Sequence, residues 1–293
     1  MQARSGTVLG AVASSKGCDS MNPRNIIVLC VAVALLSACS GTDMLAPQAP
    51  QPAAESSVHT KQPHLYQGEA GPEHWEGECN IGEAQSPIDI ARTQAEDLTN
   101  IAFHYEASAV SLLNNGHTLQ AKYPEGYEGY IELPEQQGNA ATPQRYHVAQ
   151  FHYHAPSEHT INGQSFAAEL HIVHYKRDDP GQNPAVVIGI LLEEGAENPA
   201  YAPFLADPPS EENEEVAEVE MNLAALLPSV QTSFRYVGSL TTPPCTEGIT
   251  WVVMNTPVQL SAEQLGKLEA IWEGNNRPVQ ALNERVPIED TTP

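Results

Sequence analysis

Positive charge is what this chain has least of. Its 293 residues carry 13 lysines and arginines against 37 aspartates and glutamates, a formal net charge of −24. A surface of that sign repels nucleic acid and anionic lipid, which excludes both as substrates and leaves solubility as its main consequence. Long hydrophobic runs are also missing. The longest, Ile26 to Leu36, holds 11 apolar residues, too few to cross a bilayer as a helix. No internal repeat is present, and helical periodicities are few, which argues against a solenoid or a helical bundle. The length suits one large domain or two small ones.

The short apolar run fits an export signal. Arg24 precedes it, and Leu36-Ser37-Ala38-Cys39 follows: a basic start, an apolar core and small residues before a cysteine. That ending resembles the bacterial lipoprotein cleavage box, in which the cysteine becomes a lipidated amino terminus, and the non-acidic Ser40 resembles the outer-membrane sorting pattern. The reading divides the chain into an upstream extension (1–20), a signal (21–38), a Pro/Gln/Ala/Ser-rich flexible spacer (39–63) and one folded domain (64–293). It places the protein in the periplasm or on the outer membrane of a Gram-negative-type bacterium, with acyl chains on Cys39 as its anchor. Removing 1–38 takes three cations (Arg4, Lys16, Arg24) and one anion (Asp19), so the net charge moves by two, to about −26. Of five cysteines, Cys18 and Cys30 leave with the signal and Cys39 carries lipid. Cys79 and Cys245 remain, and in an oxidising compartment a disulfide is the default for such a pair.

From His64 onward short alternating runs are separated by Pro, Gly and Asn. Strands are expected at 100–105, 109–114, 118–123, 129–133, 145–154, 167–175, 185–193, 234–240 and 250–256. Helices are expected at Glu212–Leu226 and from Ser261 to Glu273, the second with a capped start. The acidic stretch Glu211–Glu220 reads as a solvated face or a loop insertion. The sum is a single β-dominated domain of the α+β kind.

Chemistry concentrates in Gln150-Phe-His-Tyr-His154 and Glu169-Leu-His171. Residues two apart in a strand share a face. Gln150, His152 and His154 therefore point one way, and Phe151 and Tyr153 point the other. Glu169, His171 and Val173 form a matching set. If the strands pair, three imidazoles converge with an amide and a carboxylate beside them. Three neutral nitrogens suit Zn²⁺ and leave its fourth tetrahedral position open, with Gln150 and Glu169 as acceptors that orient the rings. With eleven histidines in the chain, chance pairing is the competing reading, and residue types alone do not decide between them.

The words around these residues do. QFHYHAPSEHT followed by AELHIVH resembles the metal signature of the alpha-class carbonic anhydrases. GPEHW (71–75), QSPIDI (85–90), NNGH (114–117), GSLTTPPCTE (238–247), TW (250–251) and NNRPVQ (275–280) follow the family's order over 64–285. The resemblance implies a large, twisted, mostly antiparallel sheet with peripheral helices, and one zinc at the bottom of a conical cavity. It implies His152, His154 and His171 as ligands and Thr241 as the gatekeeper that donates to Glu158 and orients a zinc-held hydroxide. It also implies Thr242 as a bicarbonate contact, and Val173, Val187, Leu240 and Trp251 as an apolar wall for CO₂. His117 is similar to the family's proton shuttle, and Tyr66 to the tyrosine that orders water along the relay. Cys79 and Cys245 stand where bacterial members are bridged. The implied reaction is reversible hydration of CO₂ to bicarbonate and a proton, with ester hydrolysis as a side activity. A homodimer stays open. Two rivals remain: a silent binding module on this fold, which would lack a zinc histidine, and a zinc hydrolase of larger substrates, which would need polar groups at Val173, Val187 and Leu240.

Overall fold

The expected strands all form, and they assemble into one 13-stranded sheet. In the computed structural model residues 65–134, 143–179, 183–272 and 274–292 are described. The export signal, Cys39 and the spacer to residue 63 lie outside the described residues, as does Glu273 at the end of the expected second helix. Across the sheet the order is Glu215–Asn222, Ala107–Asn114, Leu119–Lys122, Gln144–His154, Ala168–Tyr175, Pro184–Glu194, Glu247–Met254, Ser233–Ser239, Ile288–Asp290 and Gln94–Glu96. Neighbours on this path pair antiparallel, except Pro184–Glu194 with Glu247–Met254 and Ile288–Asp290 with Gln94–Glu96, which are parallel. Among the described residues no helix is long and apolar enough to cross a membrane.

Alternation sorts the two faces. Phe151, Tyr153, Leu170 and Ile172 are buried in the larger apolar cluster, which Phe204, Leu265 and Leu268 of the peripheral helices complete. The Tyr153 hydroxyl donates to the Leu268 carbonyl at 2.8 Å and so ties the histidine strand to that layer. On the opposite face Val173, Val187, Phe234, Tyr236 and Trp251 form a second cluster. The helix Ala262–Ile271 starts where the sequence placed it: Ser261 accepts from the Gln264 amide, and Gln264 reaches back to the Ser261 amide, a capping box.

The expected helix at Glu212–Leu226 is not a helix. Glu215–Asn222 is an edge strand, followed by a 3₁₀ turn at Leu223–Leu226. The error has a physical cause. The register shifts between Val216 and Val219, with Glu218 at φ 62°, so these valines pair with Leu112 and Val110 on one face. A bulge converts a spacing of two into a spacing of three, which in sequence imitates a helical stripe.

Candidate metal centre

Strand register brings the three histidines together. His152 lies directly opposite His171, and His154 opposite Glu169, in the antiparallel pair Gln144–His154 and Ala168–Tyr175. Ring centroids are 5.1 Å (His152–His154), 5.3 Å (His152–His171) and 4.7 Å (His154–His171) apart. One nitrogen from each falls within 4.8 Å of the others.

Each ring is held by a different acceptor through the nitrogen that faces away from the cluster. His152 Nδ1 donates to Gln150 Oε1 at 2.9 Å, His154 Nδ1 to the Asn275 carbonyl at 2.6 Å, and His171 Nε2 to Glu169 Oε1 at 2.9 Å. Amide, carbonyl and carboxylate oxygens can only accept, which fixes the proton of every imidazole outward. The remaining nitrogens, His152 Nε2, His154 Nε2 and His171 Nδ1, are the lone-pair donors. His154 Nε2 is buried and has no hydrogen-bond partner among the described residues. An orphaned nitrogen of this kind costs stability unless something fills the site. Burial lowers the pKa of all three rings, His154 to about 4, and the neighbouring imidazoles push His152 down further. Neutral histidines are the form a metal takes. The donor set fits Zn²⁺ with one coordination position open, since no thiolate is near and three nitrogens leave a tetrahedral corner vacant.

Glu158 lies beneath the triad, with Oε1 3.5 Å from His154 Nδ1 and Oε2 3.9 Å from His171 Nδ1. Burial raises its pKa to about 7 against the lowering effects of His171, the Arg277 amide (2.8 Å from Oε1) and the Thr241 hydroxyl. Thr241 lies close enough to lower the pKa of this carboxylate, while Glu158 Oε2 makes no hydrogen bond among the described residues. Glu169 behaves differently. Burial alone would raise it, but attraction to His159 and His171 and the hydrogen bonds they donate hold it well below the ordinary carboxylate range. A methyl at Gly189 would sit 2.8 Å from Glu169 Oε1, so the glycine leaves room for this carboxylate.

The cavity above the triad has two sides. A space of about 380 Å³ is lined by Tyr66, Asn115, His117, Gln120, His152, His154 and Thr242, among others. A second, of about 190 Å³, is lined by His171, Val173, Val187, Leu240, Thr241 and Trp251, with Gln150, His152 and Thr242 shared between the two. Asn115, His117 and Gln120 stand on the side of the larger space, and Val173, Val187, Leu240 and Trp251 on the side of the smaller. His117 is exposed at the rim, on a turn where the Asn115 side chain accepts from the amides of His117 and Thr118. Tyr66 is buried and edge-on to His154, with centroids 6.5 Å apart. Cys79 and Cys245 form a disulfide, and the Cys245 amide donates to the Thr242 carbonyl at 2.9 Å, closing the loop that carries Thr241. Of the residues expected at the site, Tyr66, His117, Gln150, the three histidines, Val173, Val187, Leu240, Thr241, Thr242 and Trp251 line these spaces, whereas Glu158 and Glu169 are buried and line neither.

Several contributors escaped the sequence reading. Asn275 offers its carbonyl to His154, its Oδ1 to the Ala155 amide and its Nδ2 to the carbonyls of His117 and Tyr153. A backbone acceptor leaves no mark on residue type, although Asn275 opens the NNRPVQ block. His159 donates from Nδ1 to Glu169 Oε1 at 2.7 Å, and its Nε2 then accepts from the Tyr236 hydroxyl at 2.6 Å, which contacts Ser86 Oγ at 2.8 Å. Arg277, 2% exposed, donates to Gln85, Ser86 and Cys79 and binds the amino-terminal loops beneath the site.

Comparison with known proteins gives a consistent picture. A family model described as eukaryotic-type carbonic anhydrase matches residues 70–289. A carbonic anhydrase of Klebsiella pneumoniae is 40% identical over 233 residues, covering 76% of this chain and 89% of its own length. One of Neisseria gonorrhoeae is 36% identical over 244 residues, covering 80% and 91%. Among solved structures, the alpha-carbonic anhydrase of Thermovibrio ammonificans in complex with the inhibitor sulfanilamide is 37% identical. It superposes with a TM-score of 0.69 over 76% of this chain and 97% of that one. A hyperthermostable carbonic anhydrase from a hydrothermal vent chimney is 38% identical, with a TM-score of 0.67 over 77% and 98%.

Proposed function

The chain belongs to the eukaryotic-type carbonic anhydrase family, the alpha class, and from that premise we propose that it hydrates CO₂ reversibly to bicarbonate and a proton at one zinc ion held by His152, His154 and His171. The observation that carries this reading is the outward-pinned proton of each histidine, which leaves three convergent, buried lone pairs.

Zinc, when bound, supplies a nucleophile near neutral pH by lowering the pKa of the water it holds from about 15.7 to about 7, an effect for which carbonic anhydrase is itself the reference case. The protein's residues supply the rest. In this reading the Thr241 hydroxyl turns its proton toward Glu158, the buried carboxylate whose pKa it lowers, so that its oxygen lone pairs face the cavity and fix the direction from which the nucleophile approaches. The Thr241 amide stabilises the oxygen on which charge develops, and Thr242 contacts bicarbonate. Val173, Val187, Leu240 and Trp251 receive CO₂, a linear molecule without a net dipole that gains nothing from polar partners. Tyr66 orders the water path on the His117 side of the cavity, and the exposed His117 imidazole at the rim passes the product proton to solvent base. The apolar character of the CO₂ wall disfavours a hydrolase of larger polar substrates, and the intact triad disfavours a silent module.

We also infer export and lipid attachment at Cys39, on the strength of the sequence signal and of a disulfide that suits an oxidising compartment. Mass analysis of the mature amino terminus tests it: an acylated Cys39 is expected, and an unmodified chain retaining residues 21–38 refutes it.

The test of the activity is stopped-flow CO₂ hydration on the purified protein, before and after zinc is stripped by a chelator. Turnover lost with the metal and restored by zinc supports the reading. Turnover indifferent to zinc, or none in the zinc-loaded protein, overturns it.

A further inference from the structure

The acidic stretch 211–220 has no part in the reaction derived so far, yet the structure docks it on the turn that carries His117. The Asn114 side chain, 2% exposed, donates to the carbonyls of Pro209 and Ser210 at 3.3 Å each. The Asn213 amide donates to the Asn114 carbonyl at 2.7 Å, and the Asn114 amide to the Glu214 carbonyl at 3.1 Å. These bonds carry the Glu212 side chain onto Gly116, the residue before His117. A methyl built on Gly116 would lie 2.8 Å from Glu212 Oε1 and 3.1 Å from its Cγ. Gly116 also stands at φ 82°, a backbone conformation that disfavours any residue with a Cβ there.

Two of the neighbouring carboxylates are occupied, while that of Glu211 has no ion pair or hydrogen bond among the described residues. Glu214 accepts from the amides of Ser210 and Glu211 at 3.0 and 3.1 Å, and Glu215 faces Lys122 at 3.8 Å. Glu212 has no ion pair or hydrogen bond among the described residues, and the imidazole of His117 has none either. An exposed carboxylate therefore lies over the turn that carries His117, one residue before it.

We propose that Glu212 is a specificity-determining residue at the proton exit, selecting by charge the base that relieves His117 of its proton. This rests on the carbonic anhydrase reading above. At the exit the imidazolium N–H bond breaks as a base–H bond forms, with no other bond or electron transferred. A neutral base such as 1,2-dimethylimidazole becomes a cation beside Glu212 and is favoured. Phosphate dianion is repelled on approach and ends as a monoanion in the same field. The selectivity is electrostatic and acts through solvent, so salt must weaken it.

The experiment measures the rate enhancement of CO₂ hydration by 1,2-dimethylimidazole and by phosphate, each titrated at low ionic strength, in the zinc enzyme and in Glu212→Gln, Glu212→Lys and Glu220→Gln. Glu220 lies on the strand Glu215–Asn222 that follows Glu212, opposite Ala109 and away from the turn. The expected result is a ratio of the two enhancements, dimethylimidazole over phosphate, that falls about two- to fivefold in Glu212→Gln and further in Glu212→Lys. The ratio stays unchanged in Glu220→Gln, and the differences vanish at high salt. A purely structural role for Glu212 would change both enhancements alike. Equal changes, no change, or a salt-independent difference overturns the proposal. An unaltered zinc enzyme without CO₂ hydration would overturn the reading beneath it, and this inference with it.

Discussion

Glu169 Oε1 accepts from His171 Nε2 at 2.9 Å, and the same oxygen accepts from His159 Nδ1 at 2.7 Å. One carboxylate atom thereby fixes the tautomer of one of the three clustered histidines and is itself locked by a further histidine. Its other oxygen takes the amides of Glu158 and His159 at 3.0 and 2.8 Å, so Glu169 has no freedom to turn.

Replacing Glu169 by Gln substitutes an N–H₂ for one of those acceptors and removes the charge that makes His171 a stronger donor. Zinc affinity is expected to fall about 10- to 100-fold, read by competition against a chromophoric chelator. Affinity unchanged within a factor of two would mean that the carboxylate does not tune the ligand.

Thr241→Ala removes the hydroxyl that links the nucleophile to Glu158. CO₂ hydration is expected to drop about 10²-fold in kcat/KM, in line with the loss of one oriented group, while zinc content stays at one per chain. Near-normal turnover in stopped-flow assays would refute the role given to this residue.

His117→Ala is expected to slow kcat in dilute buffer without a comparable loss in kcat/KM, because proton release follows the chemical step. Added imidazole should restore the rate as its concentration rises. Failure of that rescue would mean that the proton leaves by another route.

The histidine face could be read from sequence because strand alternation is strict: two positions separate His152 from His154, and the opposite set, Phe151 and Tyr153, is wholly buried. The positions of Val173, Val187, Leu240, Trp251 and His117 around the cavity were legible through their sequence blocks. Asn275 was not, because it serves His154 with a carbonyl that any residue possesses, from 121 positions away. The acidic edge strand was misread for a different reason. The bulge at Glu218 breaks the period of two that identifies a strand, and no local propensity signals where an edge strand will bend.

His174 adds a pH-dependent stability unrelated to the cavity. It is buried on the face opposite the metal ligands, with Nε2 2.8 Å from the Tyr105 hydroxyl, and burial lowers its pKa to about 3. The unfolded chain titrates this histidine near its ordinary value of about 6.5. Because the folded value is the lower one, the unfolded state binds more protons between these limits. Stability is therefore complete above about pH 6.5 and declines as pH falls toward 3, by about 3 kcal/mol at pH 4. Denaturant unfolding of wild type and His174→Gln at pH 7 and pH 4 checks this. The variant should lose stability at pH 7 and show a shallower acid dependence. Parallel acid profiles would contradict the assignment.

The central claim is that three neutral imidazoles hold one zinc and leave a position open. X-ray absorption at the zinc edge, on protein loaded to saturation and measured for metal content, addresses it directly. The account predicts one zinc per chain with three nitrogen scatterers at about 2.0–2.1 Å and one further light atom. A zinc shell containing sulfur, a count of fewer than three imidazoles, or a protein that retains no zinc would contradict it.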